Sequence, residues 1–271
     1  MLKYSYSHLM PDFMSEKVAF ILDTETDAKT DPRPLQVAYI DLSSGAVFNK
    51  KYSTGRKICR ATMAVHHISD EDVADCPRFS LDELPHFDYM IGHNIDYDWR
   101  VIGEPEVKRI CTYALSKTHF PEFTGQSLGS CVYHLLPADE ARALTKEAHD
   151  ALADCQANQV LYEAICERLK IDPLDFEKVY KASEKALIKE LLIELLLRLD
   201  AMERSFDNWE TGVYGWYPRA LWIGESTGKG PTWRTVIYMK RRGRRFMKKL
   251  ADENPDLYIE LAYALITHSQ G

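Results

Sequence analysis

The spacing of apolar and polar positions predicts strands first, then strands alternating with helices, then a long helical segment. Five consecutive apolar residues, Val18 to Leu22, are long enough for a buried central strand and too short for a helix. That run stops on Asp23-Thr24-Glu25. Leu35 to Leu42 alternates as a strand does, Ser43-Ser44-Gly45 is a turn, and Ala46 to Tyr52 returns, so 35–52 predicts a hairpin. Asp88 to Gly92 and Val107 to Cys111 are further short strands, and His93-Asn94-Ile95 leads into a helix ending near Gly103. Residues 60–76 read as irregular or helical. Helical patches at 126–136 and 138–146 precede a long helix from about Asp150 to Leu169. Three strands followed by strand–helix alternation predict a mixed α/β sheet.

Lys170-Ile171-Asp172-Pro173 breaks this pattern. Beyond it, Phe176 to Ser205 predicts one amphipathic helix with a stripe of Leu187, Ile188, Leu191, Leu192, Leu195, Leu196, Leu199 and Met202. The stripe packs on its own chain or pairs two copies through residues 184–202. Residues 207–233 are rich in tryptophan and glycine, and a basic stretch and a final helical patch follow. The expected division is an N-terminal extension (1–17), a first domain (18–172), the long helix (173–206) and a small aromatic and basic module (207–271).

A length of 271 residues with 45% hydrophobic content suits one good core and a small second unit. Six cysteines without a Cys-x-x-Cys pair read as free thiols in a reducing cytosol. Met1 to Lys17 has no apolar core of a signal peptide, and the Leu191–Leu199 run is too short and too charged to span a bilayer, so the expected location is the cytoplasm. The net charge of −7 argues against nucleic acid until its distribution is considered. Residues 176–271 carry 16 Lys and Arg against 13 Asp and Glu, whereas the remainder carries 18 against 28. Arg234, Lys240, Arg241, Arg242, Arg244 and Arg245 lie in a stretch without acids, which reads either as a phosphate-contacting patch or as a solvated basic face.

The acidic residues carry the chemistry. Side chains alternate across a strand, so Asp23 and Glu25 share a side and continue the row from Ala19 and Ile21. Two carboxylates at the end of a buried strand repel and desolvate each other, and a metal ion or a bound proton relieves them. In a helix starting at Ile95 or Asp96, Asp98 lies on the face of Val101 and Ile102, whereas Asp96 suits an N-cap. Asp154 precedes Ala157 by three residues and shares its apolar face, where an unmatched carboxylate is expensive. His149 can share that site only if it precedes the helix with Asp150 as N-cap; alone it reads as an ordinary surface or core histidine.

These residues together resemble the DEDDh, or DnaQ-like, 3′→5′ exonucleases. Asp23-Thr24-Glu25-Thr26 is similar to their first motif, His93-Asn94-Ile95-Asp96-Tyr97-Asp98 to the second, and His149-x4-Asp154 to the third. Ile95, Tyr97 and Asp27 depart from the usual residues without removing an acid. Ala64-Val65-His66-His67-Ile68-Ser69 and Ala151-Leu152-Ala153-Asp154-Cys155 resemble the exonuclease X subgroup of bacteria and phages. The resemblance covers about residues 18–170. It implies a ribonuclease H-like mixed five-stranded sheet flanked by helices, with a C-terminal helical and basic extension. It also implies two Mg²⁺ or Mn²⁺ ions held by Asp23, Glu25, Asp98 and Asp154, with His149 as general base. Thr24, His66 and Asn94 would contact substrate. The expected partner is the 3′ end of single-stranded or duplex DNA in a bacterial or phage-infected cell. RNA ends, and a catalytically weak nucleic-acid-binding protein, are the alternatives.

Overall fold

The computed structural model describes residues 17–188 and 190. These fall into two units, one of 17–113 with 122–179 and one of 114–121 with 180–188 and 190. All the candidate acids and His149 belong to the first. The elements in chain order are β1 (Ala19–Thr26), β2 (Pro34–Asp41), β3 (Val47–Lys51), α1 (Arg60–His66), β4 (Tyr89–Gly92), α2 (Asp96–Val101), β5 (Lys108–Cys111), α3 (Thr112–His119), α4 (Leu128–Leu135), α5 (Ala138–Leu144) and α6 (Ala151–Leu169).

The expected mixed sheet is present, with five strands in the order β3-β2-β1-β4-β5. The hairpin makes β1, β2 and β3 antiparallel neighbours, while β4 and β5 join parallel to β1. The first strand extends further than the apolar run suggests. It continues to Thr26 because β2 pairs with it past the acids, Asp23 opposite Ala38 and Glu25 opposite Gln36. On its other side β4 pairs only with Ala19–Ile21. Both acids therefore lie within a strand, at the point where its parallel neighbour ends.

Cross-strand partners share a face, so Ile21, Asp23 and Glu25 line one side with Ile40, Ala38 and Gln36. Helix α6 packs over β1 and β2. The opposite face carries a stack running from Phe20 to Tyr39 to Phe48, with ring centroids 4.1 and 5.1 Å apart. A separate apolar cluster of Leu35, Ile58, Ile68 and Val73 ties the segment after α1 to β2. On the helical side, Ala157 of α6 packs with Val132 of α4 and Ala141 of α5. Helix α6 is closed by Lys170 in the left-handed conformation, φ 57°.

One local expectation is corrected, and one element was not expected. Asp96 does not cap α2; its carboxylate pairs with Arg109 of β5 at 2.5 Å, and that guanidinium lies 4.0 Å from the Trp99 ring centroid. An ion pair to the neighbouring strand outcompetes the cap. Helix α3 is not foreshadowed by the pattern, because Thr112, Ser116 and Thr118 interrupt any apolar stripe.

A helix opens at Phe176, and Phe176 and Val179 are buried. Residues 1–16 of the N-terminal extension lie outside the described residues. So do most of the amphipathic helix with its 184–202 pairing face, the aromatic segment, and the basic residues Arg234, Lys240, Arg241, Arg242, Arg244 and Arg245.

Gly92 closes β4 where the chain turns towards α2. A Cβ there would overlap Ile95 Cδ1 and stand 3.2 Å from the Leu22 carbonyl oxygen. Gly92→Ala is expected to lower the unfolding free energy by about 1–3 kcal/mol, as overpacking of a dense core does. Chemical denaturation measures it; an unchanged midpoint would show that the Ile95 side chain moves aside freely.

Candidate active site

Three chain segments converge at the end of β4. Strand β1 brings Asp23 and Glu25, α2 brings Asp98, and the start of α6 brings His149 and Asp154. The ligand atoms of Glu25, His149 and Asp154 all lie within 4.8 Å of one another. Asp23 belongs to the same cluster electrostatically, since Asp98, Asp154, Glu25 and Asp150 all act on its carboxyl.

Asp98 is held where β4 gives out. Past Ile21, the side of β1 facing β4 has no strand partner, and the Thr24 N–H donates to Asp98 Oδ1 at 3.0 Å. The Thr24 hydroxyl donates to the same oxygen at 2.7 Å. A side chain of α2 thus takes the place of the missing strand. Thr24, expected at the substrate, is buried and spends both polar groups on this acid.

The third motif depends on the helix start. Asp150 is the N-cap, as expected, and accepts from Leu152 and Ala153 N–H at 3.1 and 3.2 Å. His149 immediately precedes it with φ 69°, in the left-handed region, and its N–H donates to Asp154 Oδ2 at 3.3 Å. The reversal at His149 is what lets a residue five positions before Asp154 stand at the same site. His149 is exposed, Asp154 half-buried and Glu25 buried, so the cluster grades from the protein interior to solvent.

Burial and mutual repulsion load this cluster with strain. Burial, followed by Asp98, Asp154, Glu25 and Asp150, holds the Asp23 carboxyl well above the usual carboxylate range. Burial with Asp154, Asp98 and Asp150 pushes Glu25 up to about 8. Asp98 is pushed up to about 7, mainly by burial and against the two Thr24 hydrogen bonds. Asp154 is raised by burial, with His149 opposing. Oxygen-rich donors that repel one another suit a hard divalent cation such as Mg²⁺ or Mn²⁺, and the residues present fit one.

The other expected contacts are placed as follows. His66 is buried, with Nε2 donating to the Thr26 carbonyl at 3.1 Å and Nδ1 accepting from the Ile68 N–H at 3.0 Å. Burial lowers its proton affinity, and both nitrogens are spent anchoring its loop to the end of β1. Asn94 is exposed with φ 74°, a conformation that asparagine tolerates. Tyr97 adds a bond to Thr26 Oγ1 at 2.7 Å. Cys155 forms part of the floor; its thiol is buried, donates to the Ala38 carbonyl, and is pushed up by burial and the nearby carboxylates, so it is no nucleophile. Gln36 escaped the sequence reading. Its signal was a single polar residue between the apolar Leu35 and Val37 of a buried strand.

No protein-family model matches the chain. Over 147 residues it is 28% identical to exodeoxyribonuclease 10 of Escherichia coli K12, a stretch covering 52% of this chain and 65% of the relative. The same figures hold for the protein of that name from E. coli O6:H1. The chain thus spans just under two thirds of the length of these curated relatives. The likeness to DnaQ-like exonucleases read from the motifs is borne out at this level. Among solved structures, the chain is similar to exonuclease X in complex with 5′ overhanging duplex DNA, with 22% identity over 60% of this chain and 99% of that one at a TM-score of 0.46. It is also similar to the zinc-bound E. coli exonuclease I–single-stranded DNA complex, with 13% identity, 59% and 42% coverage and a TM-score of 0.45. Among the described residues, no helix is long and apolar enough to cross a membrane.

Proposed function

We propose that this chain is a divalent-metal-dependent 3′→5′ exonuclease that releases nucleoside 5′-monophosphates from DNA ends. The observation that carries the reading is the convergence of Glu25, His149 and Asp154 within 4.8 Å, beside Asp23 and Asp98, in a cluster whose carboxylates repel one another. The name of the curated E. coli relatives, exodeoxyribonuclease 10, favours DNA.

Two divalent ions, when bound, would activate a water and relieve charge at the leaving oxygen. Asp23, Glu25, Asp98 and Asp154 are the residues that would hold them. Exposed at the mouth of the cluster, His149 accepts the proton of the attacking water and passes it to solvent. Thr24 keeps Asp98 aimed at the site through its two hydrogen bonds. The loop that His66 anchors to the end of β1, and exposed Asn94, are the positions that would contact a terminal nucleotide. The basic residues between 234 and 245 would contact the backbone.

Incubation with Mg²⁺ and end-labelled DNA and RNA strands, free or blocked at the 3′ end, tests this reading. Expected is metal-dependent release of mononucleotides from free 3′ ends, faster on DNA, and none from blocked ends. Internal cuts, or no metal-dependent release, would reject it. Faster release from RNA would make the protein an exoribonuclease with the same site.

A further inference from the structure

Helix α6 begins at a defined residue, and the register of that beginning decides whether His149 and Asp154 meet Glu25. Its own N-cap, Asp150, marks that start, and the cap is in turn held in place. The helix is held from the sheet. Gln36 of β2 is 1% exposed and lies directly opposite Glu25 in the strand register, on the face that α6 covers. Its Nε2 donates to Asp150 Oδ2 at 2.8 Å and to Asn49 Oδ1 of β3 at 2.9 Å. Its Oε1 accepts the Ala151 N–H at 3.4 Å. One amide thus grips both the N-cap side chain and the first helical N–H of α6. Asp150 uses its other oxygen, Oδ1, for the two cap bonds, so cap and grip are made at once by one carboxylate.

We propose that Gln36 is a positioning residue: through Asp150 and Ala151 it fixes the start of α6, and so sets His149 and Asp154 against Glu25. Glu25 and Gln36 are cross-strand partners, so the same pair of strands carries the ligand and the clamp for the facing ligands. Asn49 braces the amide from behind, and its orientation is set by the Asp150 carboxylate, which only accepts, and by the Ala151 N–H, which only donates. An apolar side chain of similar volume keeps the packing and loses the register.

The inference rests on the metal-site reading above, and its test includes readouts that need no turnover. Compared are the wild type, Gln36→Leu, Gln36→Glu, Asp150→Asn and the double variant Gln36→Glu/Asp150→Asn. Measured are Tm without metal, the Mg²⁺ concentration giving half the maximal rise in Tm, and kcat and KM on a labelled DNA oligonucleotide. Gln36→Glu sets two carboxylates face to face, and Asp150→Asn sets two amide nitrogens face to face. The double variant exchanges donor and acceptor and restores the bond, with Asn49 able to flip to match. The expected result is a fall in kcat of about 10–100-fold in each single variant, the size of a displacement on the ångström scale. Half-saturating Mg²⁺ rises several-fold, KM is little changed, and both kcat and the Mg²⁺ dependence recover in the double variant. A lowered Tm with Mg²⁺ dependence and kcat unchanged would overturn it, leaving Gln36 a purely structural contact. A double variant no better than either single would overturn it equally. If the wild type lacks exonuclease activity, the function fails while the Mg²⁺ titrations still decide the positioning role.

Discussion

Glu25→Gln is expected to lower turnover by about three orders of magnitude, roughly 4 kcal/mol of barrier, and at the same time to stabilise the metal-free protein above neutral pH. Glutamine keeps the shape of the side chain but gives the site one anionic oxygen fewer where Asp154 and His149 converge. The stability effect follows from the raised carboxyl. In the fold Glu25 keeps its proton up to about 8, against an ordinary value of 4.5. Between those values the native state holds a proton that the unfolded chain has released. The unfolding free energy therefore falls as pH rises through that window. Glutamine does not titrate, so its contribution to the slope is absent. Melts in a chelator from about pH 5 to about pH 9 should show the wild-type Tm declining more steeply than that of the variant. Added Mg²⁺ at the alkaline end should raise the wild type more, because a cation replaces the departing proton. Parallel declines would refute the account of a strained carboxylate cluster, and retained turnover would refute the metal site.

His149→Ala is expected to lower kcat by about 10²–10⁴-fold, the range for loss of a general base. All four carboxylates remain, so the Mg²⁺-induced rise in Tm should persist. That separation distinguishes it from Glu25→Gln, which weakens both. His149 is exposed and lies outside α6, so little packing is lost and Tm without metal should barely move. Unchanged turnover would remove the histidine from the chemistry; loss of the Mg²⁺ response would make it chiefly a ligand.

The site was more legible in the sequence than its supports. Asp98 and Asp154 stood out because each falls on an apolar helix face, where a carboxylate has to be matched, whereas His149 alone read as an ordinary histidine and took its role from the resemblance. Those signals are local and survive folding. Thr24 bonding Asp98 and Gln36 bonding Asp150 join residues 74 and 114 positions apart, and no periodicity carries that information. The length of β1 was underestimated for the same reason. Apolar residues mark where a strand is buried, whereas the stretch from Asp23 to Thr26 is a strand because β2 pairs with it. Asp96 was misassigned because helix-cap preference is a weak local term, and Arg109 reaches it from another strand.

The carboxylate that finishes the ladder beside β1 has a further effect. Past Ile21 that edge is met by Asp98, which accepts the Thr24 N–H but has no N–H of its own to offer when ionised. A backbone in that place would present a new row of donors and acceptors and invite another strand to add. A carboxylate presents acceptors and charge, and strand addition stops there. The residue that gathers negative charge at the site thereby also ends the ladder on that side of β1.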